Sequence, residues 1–266
     1  IGAAWLVAPT LEIPVMALAW GVLLAGFLQL LFQIAPLASI KKIPVPRIDF
    51  ANPGVKKFFI LIMPAILAGG IAQINLLVDT ILASLLGFGS VSYLYFADRI
   101  AQLPLGIIGI ALGTSLLTSL SKASAMNDQK RFSSELIISI KIGLFFSIPA
   151  MFVFINFSEL FIRVLFERGE FTSLETIQTS HALIAYSFGI PAFIILKSCQ
   201  PAFFAEGNTK TPLYVGIILL TLNVFLSILL MYYWRHAGIA LATSISSWIG
   251  VIIYLLLLIK SGKILK

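Results

Sequence analysis

The chain has 266 residues, of which 59% are hydrophobic and 11% are charged, and its mean hydropathy is +1.03. Soluble domains carry about 25% charged residues, so this composition excludes an ordinary soluble domain and indicates a helical membrane protein with several spans. The net charge of +7 follows from the distribution of cations between loops, described below, and does not indicate a nucleic-acid-binding surface.

The hydropathy pattern predicts seven membrane-spanning helices. In chain order they lie at residues 14–37, 55–86, 90–121, 133–157, 176–206, 212–233 and 237–259. The longest exceed the thickness of the hydrocarbon core, so they must tilt, bend or project into water. Prolines inside the spans remove backbone hydrogen bonds and predict bends, which are typical of transporters. They are Pro64, Pro104, Pro149, Pro191 and Pro201.

One segment between the spans is amphipathic. Residues 159–175 contain ELFIRVLFERGEF, in which apolar residues recur at helical spacing. This spacing predicts a short interfacial helix that ends at Gly169. Aromatic residues near one end of the spans are typical of the belt at a membrane–water interface. They are Tyr93, Tyr95, Phe96, Tyr232, Tyr233 and Trp234.

Lysine and arginine residues divide unequally between alternate loops. Of the 18 cations, 12 lie on one side and three on the other, while Arg99, Lys141 and Lys197 lie within spans. Because cytoplasmic loops carry the excess of positive charge, the side with 12 cations is predicted to be cytoplasmic, and the C-terminus with it. The first residue is Ile1 rather than Met, and residues 1–10 resemble the tail of an earlier span, so we expect a piece of a longer protein.

Arg99 is the most informative residue of the chain. It follows Asp98 in the long apolar run at residues 90–120, where a charge costs about 2.5–3.5 kcal/mol to insert into the bilayer. A chain keeps such a charge when the side chain faces a watery cavity or a partner, so Arg99 is a candidate site for an anion such as a phosphate group. The alternative is a buried ion pair between Arg99 and an acidic residue of another helix.

Asp79 is a second acidic residue within a span. It lies four residues after Asn75, so the two side chains share a helix face, and a carboxylate beside amide oxygens can hold Na⁺ or a proton. The alternative is a hydrogen-bonded contact between helices, or a residue near enough to the surface to be wet. Lys141 and Lys197 lie nearer the ends of their spans, where each side chain can extend to the interface or, alternatively, into a cavity.

Several other classes of function have no support in the sequence. His181 and His236 lack the spacing of metal ligands, and a single cysteine, Cys199, excludes an internal disulfide. The sequence contains no hydrolytic triad, phosphate-binding P-loop or dinucleotide-binding glycine motif. We therefore expect no cofactor other than a coupling Na⁺ or proton, and no ATP-driven pump in this part of the chain.

Two segments resemble the MurJ (MviN) family of lipid II flippases. Residues 90–123 are SVSYLYFADRIAQLPLGIIGIALGTSLLTSLSKA, and residues 182–212 are ALIAYSFGIPAFIILKSCQPAFFAEGNTKTP. RVLFERGEFT and HAGIALATSIS are also similar to the family, and the likeness runs essentially from end to end. The first motif is specific to the family. It is a run of tyrosine, an aromatic residue, alanine, an acid and arginine, followed by a proline helix break.

The resemblance implies an all-α polytopic membrane protein with the fold of multidrug and oligosaccharidyl-lipid exporters. In that fold, two six-helix lobes flank a central cavity. By this template, residues 1–50 are the end of the first lobe, comprising the tail of span 5, span 6 and a basic cytoplasmic linker. Residues 51–266 are then the second lobe, with the bent membrane-spanning helices of spans 7–12.

The resemblance also implies roles for individual residues. Arg99 matches the second-lobe cavity arginine that engages the lipid II pyrophosphate, and Asp98 matches its acidic neighbour. Asp79 is similar to the acid of a sodium site found in some members, where residues similar to Asn223 and Thr243 join it. Ser227 stands where that site has a second carboxylate, so coupling to sodium, to protons or to the membrane potential all stay open.

The function implied by the resemblance is transport rather than enzymatic catalysis. The expected activity is the flipping of lipid II, the undecaprenyl-pyrophosphate-linked peptidoglycan precursor, across the bacterial inner membrane by alternating access. The expected partners are lipid II and membrane lipids, with no nucleic acid. Two alternatives stay open: a related exporter of drugs or polysaccharide-linked lipids, and a non-transporting membrane scaffold.

Overall fold

The computed structural model describes residues 14–39 and 53–264. Its α-helices are α1 (Pro14–Ser39), α2 (Pro53–Ser84), α3 (Ser90–Pro104), α4 (Ile110–Ala125), α5 (Gln129–Phe166), α6 (Ser173–Ser187), α7 (Ile190–Phe204) and α8 (Lys210–Lys260), with a π-helical turn at Leu105–Gly109. The described ranges contain no strand, which confirms the all-α prediction. The chain divides into two compact units, residues 1–55 and 56–266.

In the first unit, α1 confirms a helix where the span at residues 14–37 is predicted. Its 26 residues extend about 39 Å, which is enough to cross a hydrocarbon core of about 30 Å. Large apolar side chains such as those of Trp20 and Phe32 are exposed along this helix. Two predictions lie outside the described residues. They are the tail of an earlier span at residues 1–10 and the basic linker before residue 51.

In the second unit, the predicted span at residues 90–121 is a helical rod with a local change of winding. Pro104 ends α3, and the five-residue π-helical turn Leu105–Gly109 leads into α4. Because proline lacks an N–H and its ring collides with the carbonyl four residues earlier, the helix widens at this point. The helix break predicted at Pro104 therefore takes the form of a π bulge.

Helix α5 combines two predicted segments, the span at residues 133–157 and the short helix within residues 159–175. Backbone angles at Phe157 (φ −120°, ψ 20°) depart from helical values, so the helix kinks where the two predicted segments meet. The short helix ends at Phe166, slightly earlier than predicted, and Gly169 then turns the chain with φ 61°. A positive φ of this kind is accessible to glycine at little cost.

The predicted span at residues 176–206 is broken into α6 and α7, whose axes bend by 44°. Two side chains of α8 donate hydrogen bonds to carbonyl oxygens at this break. Ser244 Oγ donates to the Ala185 carbonyl at 2.7 Å, and Trp248 Nε1 donates to the Phe188 carbonyl at 2.8 Å. Because a helix break frees carbonyls from the regular ladder, these two donors stabilise the bend.

The spans predicted at residues 212–233 and 237–259 are the two halves of α8. The backbone of Arg235 (φ 49°, ψ −133°) interrupts the helix between them. At Gly238 an added Cβ would lie 2.3 Å from the Leu230 carbonyl oxygen, so the turn is tight enough to require glycine. Leu230 lies against Gly238, and Asn223 contacts Thr243, so residues further before the break meet residues further after it. The two halves of α8 therefore form an antiparallel hairpin.

Several of these helices have the length and composition of membrane spans. Ser90–Ala125, Gln129–Phe166 and Lys210–Lys260 each meet that test within the described residues, and α6 with α7 meets it as one bent span. The 51 residues of α8 would extend about 76 Å if straight, so its hairpin provides two crossings. The chain is accordingly a multi-pass helical membrane protein, as predicted.

Two groups of buried apolar side chains hold the second unit together. One group includes Ile100 of α3 with Leu183 of α6, and the other includes Leu136 of α5 with Tyr254 of α8. Helix α7 contributes to both groups and α6 to the first, and both helices are largely buried, whereas α5 and α8 also expose large apolar side chains. This packing holds α3, which carries Asp98 and Arg99, and α8, which carries Asn223 and Thr243.

Candidate substrate- and cation-binding sites

Arg99 lies on an exposed face of α3. Its guanidinium carbon is 4.9 Å from the centre of the Tyr95 ring, one helical turn earlier, which is a cation–π arrangement. No carboxylate of residues 14–39 or 53–264 lies within 4.0 Å of the Arg99 side chain. Among the described residues, the alternative of a buried ion pair is therefore wrong, and the guanidinium donors are available to an anion.

Asp98 is partly buried and its side chain is engaged within its own helix. The carboxylate accepts a hydrogen bond from Gln102 Nε2, one turn further along α3. Adjacent residues on a helix project about 100° apart, so Asp98 and Arg99 face different directions. The structure thus separates the two members of the predicted substrate site: Arg99 is exposed, and Asp98 is held by an amide.

The candidate cation site is a buried polar cluster around Asp79, whose exposure is 7%. Asn75 Nδ2 donates to Asp79 Oδ2 at 3.1 Å, and Thr243 Oγ1 donates to the same oxygen at 3.4 Å. Asn223 lies 3.1 Å from Thr243 Oγ1 through its amide. The structure therefore brings together Asp79, Asn223 and Thr243, from α2 and from both halves of α8, and adds Asn75.

The orientation of the Asn223 amide follows from its neighbours. Its NH₂ donates to Asp79 Oδ1 at 3.1 Å and to Asn75 Oδ1 at 3.0 Å, while its oxygen accepts from the Thr243 backbone N–H at 3.2 Å. This amide therefore bridges the two α2 side chains and the second half of α8.

Ser227 occupies the place where the family resemblance implies a second carboxylate. It is fully buried and its hydroxyl faces the Asp79 carboxylate. Within the described residues, Ser227 Oγ makes no hydrogen bond of normal geometry. The cluster consequently contains a single carboxylate, that of Asp79, surrounded by amide and hydroxyl groups.

A cavity of about 700 Å³ opens beside this cluster, between α2, α7 and α8. We call it the α2–α7–α8 cavity. Asn75, Asn223 and Thr243 line it on the side of the cation cluster, and Lys197 of α7 also lines it. For Lys197 the structure therefore favours the cavity over the interface. Lys141 is exposed on α5 and is not part of this lining.

The aromatic residues assigned to an interfacial belt have more specific contacts than predicted. The ring of Phe96 is partly buried and lies 4.8 Å from that of Phe166 and 5.4 Å from that of Phe171. Tyr95 lies beneath Arg99. The four-residue spacing of Tyr95 and Arg99 was the available signal for their contact, since residues so spaced are neighbours on a helix.

Helices that are broken near buried polar groups are typical of membrane transporters. The fold agrees with this class: a multidrug resistance MATE family transporter of the MOP superfamily, in an outward-facing conformation, superposes with a TM-score of 0.65 at 16% identity. The match covers 75% of this chain and 44% of that chain. Identity this low establishes a shared fold alone.

The family is established by the sequence. The family described as lipid II flippase MurJ matches residues 1–266. A probable lipid II flippase MurJ of Vibrio cholerae is 37% identical over 248 residues, which is 93% of this chain and 47% of the relative. A structure of lipid II flippase MurJ in an inward closed conformation has a TM-score of 0.69 at 37% identity, covering 83% of this chain and 47% of that chain.

The chain therefore belongs to the lipid II flippase MurJ family, which is a family of transporters and not of enzymes. It spans about half the length of the relatives it matches.

Proposed function

We propose that the protein to which this chain belongs flips lipid II across the bacterial inner membrane by alternating access. Membership of the family supports this cargo. The observation that carries the proposal is the Arg99 side chain, an exposed guanidinium within an apolar span, with no described carboxylate within 4.0 Å. Arg99 is the residue that we assign to the pyrophosphate of the cargo.

The chemistry of a guanidinium suits a diphosphate. Its planar fork of N–H donors matches two phosphate oxygens at once, and each hydrogen bond to a charged group contributes about 1.5–3 kcal/mol. Two such bonds are comparable to the cost of about 2.5–3.5 kcal/mol for placing the charge in the bilayer. We assign Asp98, held by Gln102, to the same site, where its free acceptor positions suit headgroup hydroxyls.

We assign residues 51–266 to the second lobe and residues 1–50 to the end of the first. Support comes from the number of helical segments, which is six: α2, the α3–α4 rod, α5, the α6–α7 pair and the two halves of α8. The π bulge at Leu105–Gly109 and the bend between α6 and α7 are the points at which such a lobe can flex. The excess of lysine and arginine on one side supports a cytoplasmic C-terminus.

We also propose that Asp79, Asn223 and Thr243 bind the coupling cation, with Asn75 as a further ligand. Hard monovalent and divalent cations prefer oxygen ligands, and the cluster supplies carboxylate, amide and hydroxyl oxygens from α2 and α8. The Asn223 amide links α2 to α8, because its NH₂ lies within hydrogen-bond distance of Asp79 Oδ1 and Asn75 Oδ1.

Complementation of a flippase-depleted bacterium with the full-length gene tests the role of Arg99. Arg99→Ala is expected to abolish growth, and Arg99→Lys to restore it in part, because an ammonium keeps the charge but lacks the planar fork. Arg131→Ala is the matched control: Arg131 forms an exposed pair with Glu135 at 3.8 Å, which contributes about 0–1 kcal/mol. Normal growth of the Arg99→Ala strain at equal protein levels would support a scaffold instead.

Flipping by the purified full-length protein in vesicles tests the cation site. Replacing choline by Na⁺ at constant ionic strength is expected to accelerate flipping, and Asp79→Asn to abolish that acceleration. Thr221→Val serves as control, since the Thr221 hydroxyl donates only along its own helix, to the Ile217 carbonyl at 3.0 Å. A rate that depends on pH but not on Na⁺ would assign the site to a proton.

A further inference from the structure

The α2–α7–α8 cavity is lined by neutral polar groups and a single formal charge. Its polar lining beyond the cation cluster consists of Gln73 on α2, Gln200 on α7, and Ser246 and Ser247 on α8. Lys197 is the only charged residue among the described residues that line it. Amides and hydroxyls both donate and accept hydrogen bonds, so this lining suits a ligand that is rich in amide and hydroxyl groups.

The helix that carries Lys197 is held closely against α4. At Gly113 an added Cβ would lie 3.1 Å from the Lys197 carbonyl oxygen, and at Gly109 it would lie 3.6 Å from Lys197 Cγ. The two glycines therefore let α7 approach α4, and the stem of the lysine rests against Gly109. Packing therefore supports the stem of Lys197, whose side chain is exposed to the cavity that it lines.

The ammonium of Lys197 has no carboxylate within 4.0 Å in the part of the chain that the structure describes. An isolated cation in a polar cavity inside a membrane protein is a functional-site hypothesis. A cavity of about 700 Å³ falls in the range of small-molecule sites, which runs from about 300 to 1,000 Å³. The group that fits is an anion of modest size with amide or hydroxyl neighbours.

We propose that the α2–α7–α8 cavity binds a carboxylate-bearing sugar–peptide portion of the cargo headgroup, with Lys197 paired to the carboxylate. This inference rests on the proposed function and extends it to a second contact, separate from the Arg99 side chain on α3. One cargo molecule is then held at two anionic groups by two different helices.

Charge decides between a carboxylate and the pyrophosphate for this cavity. Asn75 and Thr243, which line one wall, both hydrogen-bond to the Asp79 carboxylate, so that wall is electronegative. A diphosphate would meet one lysine and one repulsive wall, whereas a single carboxylate is balanced by the lysine alone. An ammonium is also a compact point charge, without the fork geometry that favours arginine for phosphate groups.

Calorimetric titration of the purified full-length protein tests the inference with three probes. Muramyl dipeptide carries a sugar, amides and one free carboxylate; its carboxamide lacks the charge; and inorganic pyrophosphate probes Arg99. Lys197→Gln is expected to weaken binding of muramyl dipeptide about tenfold, because one charge-assisted hydrogen bond is lost. Binding of the carboxamide and of pyrophosphate is expected to stay unchanged in this variant.

Lys141→Gln is the matched control, because Lys141 is also a lysine within a predicted span and does not belong to the cavity lining. Its affinity for muramyl dipeptide is expected to equal that of the wild type, and thermal unfolding of both variants confirms that they are folded. The inference is overturned if wild-type protein does not bind muramyl dipeptide, if Lys197→Gln binds it equally well, or if the carboxamide binds as tightly.

The same titration separates this inference from the proposed function. Pyrophosphate binding that is lost in Arg99→Ala, together with unchanged muramyl dipeptide binding in Lys197→Gln, would retain the function and remove the second contact. Pyrophosphate binding that is independent of Arg99 would instead contradict the proposed role of Arg99.

Discussion

Replacing Tyr95 by leucine is expected to weaken the binding of pyrophosphate through Arg99, although Tyr95 itself does not reach the anion. The ring lies beneath the guanidinium, one turn earlier on α3. It packs against the guanidinium and limits the positions that the arginine side chain can adopt. Leucine keeps an apolar side chain at this position but provides no π face, so the change removes the cation–π contact with Arg99 together with the edge-to-face ring contact with Phe96.

The size of the effect follows from the geometry. The distance of 4.9 Å from the guanidinium carbon to the ring centre is within the range of about 6 Å over which the interaction is significant. Tyr95 is 54% exposed and Arg99 is also exposed, so the value for solvated pairs applies, about 0.5–1 kcal/mol. This corresponds to a loss of affinity of about two- to fivefold.

A double-mutant cycle measures the coupling in the full-length protein. Tyr95→Leu should reduce pyrophosphate affinity when Arg99 is present and should have no effect in the Arg99→Gln background. Tyr95→Phe keeps the ring and should bind like the wild type. An equal loss in both arginine backgrounds, or a loss in Tyr95→Phe as large as that in Tyr95→Leu, would refute the argument that the ring positions the guanidinium.

Two further predictions concern the broken helices and are measured by thermal unfolding of the detergent-solubilised protein. Gly238→Ala should destabilise the hairpin by about 1–3 kcal/mol, because the added methyl overlaps the Leu230 carbonyl. Gly106→Ala is the control and should not destabilise it, since an added Cβ there meets no atom within 4 Å. Ser244→Ala should cost about 1–3 kcal/mol, because it removes a buried donor from the Ala185 carbonyl. Unchanged melting of either variant would contradict its assigned contact.

The hydropathy pattern and the prolines predicted the helices of this chain and several of their breaks, but not the contacts that hold the breaks. An apolar stretch long enough to cross a bilayer can only be helical or barrel-forming, so the span predicted at residues 14–37 and the observed Pro14–Ser39 agree closely. The bend between α6 and α7 depends instead on donors from Ser244 and Trp248, which lie far along the chain. No local pattern near the bend identifies those donors.

The candidate cation site shows the same division between local and distant information. The four-residue spacing of Asn75 and Asp79 places them on one helix face, and their hydrogen bond at 3.1 Å confirms that contact. Asn223 and Thr243 are 20 residues apart and meet only because the chain reverses at Arg235. Their place in the site came from the family resemblance, since the hydropathy pattern predicts two spans on either side of Arg235 but not which of their residues meet.

Lys197 was ambiguous for a related reason. A lysine near the end of a span can extend to the interface or into a cavity, and both alternatives are compatible with the same local sequence. The choice depends on whether a neighbouring helix leaves space beside it. Here the space lies between α2, α7 and α8, and Lys197 lines it.

Ser227 bears on which cation the buried cluster can hold. With one carboxylate, a proton or a monovalent cation leaves the Asp79 cluster electrically neutral, whereas a divalent cation would leave one uncompensated positive charge. An uncompensated charge is costly in a buried site within a membrane protein, so the serine favours a monovalent cation or a proton. Because Asp79 belongs to α2 while Asn223 and Thr243 belong to opposite halves of the α8 hairpin, neutralising this one carboxylate changes the electrostatic contact among three helical segments at once.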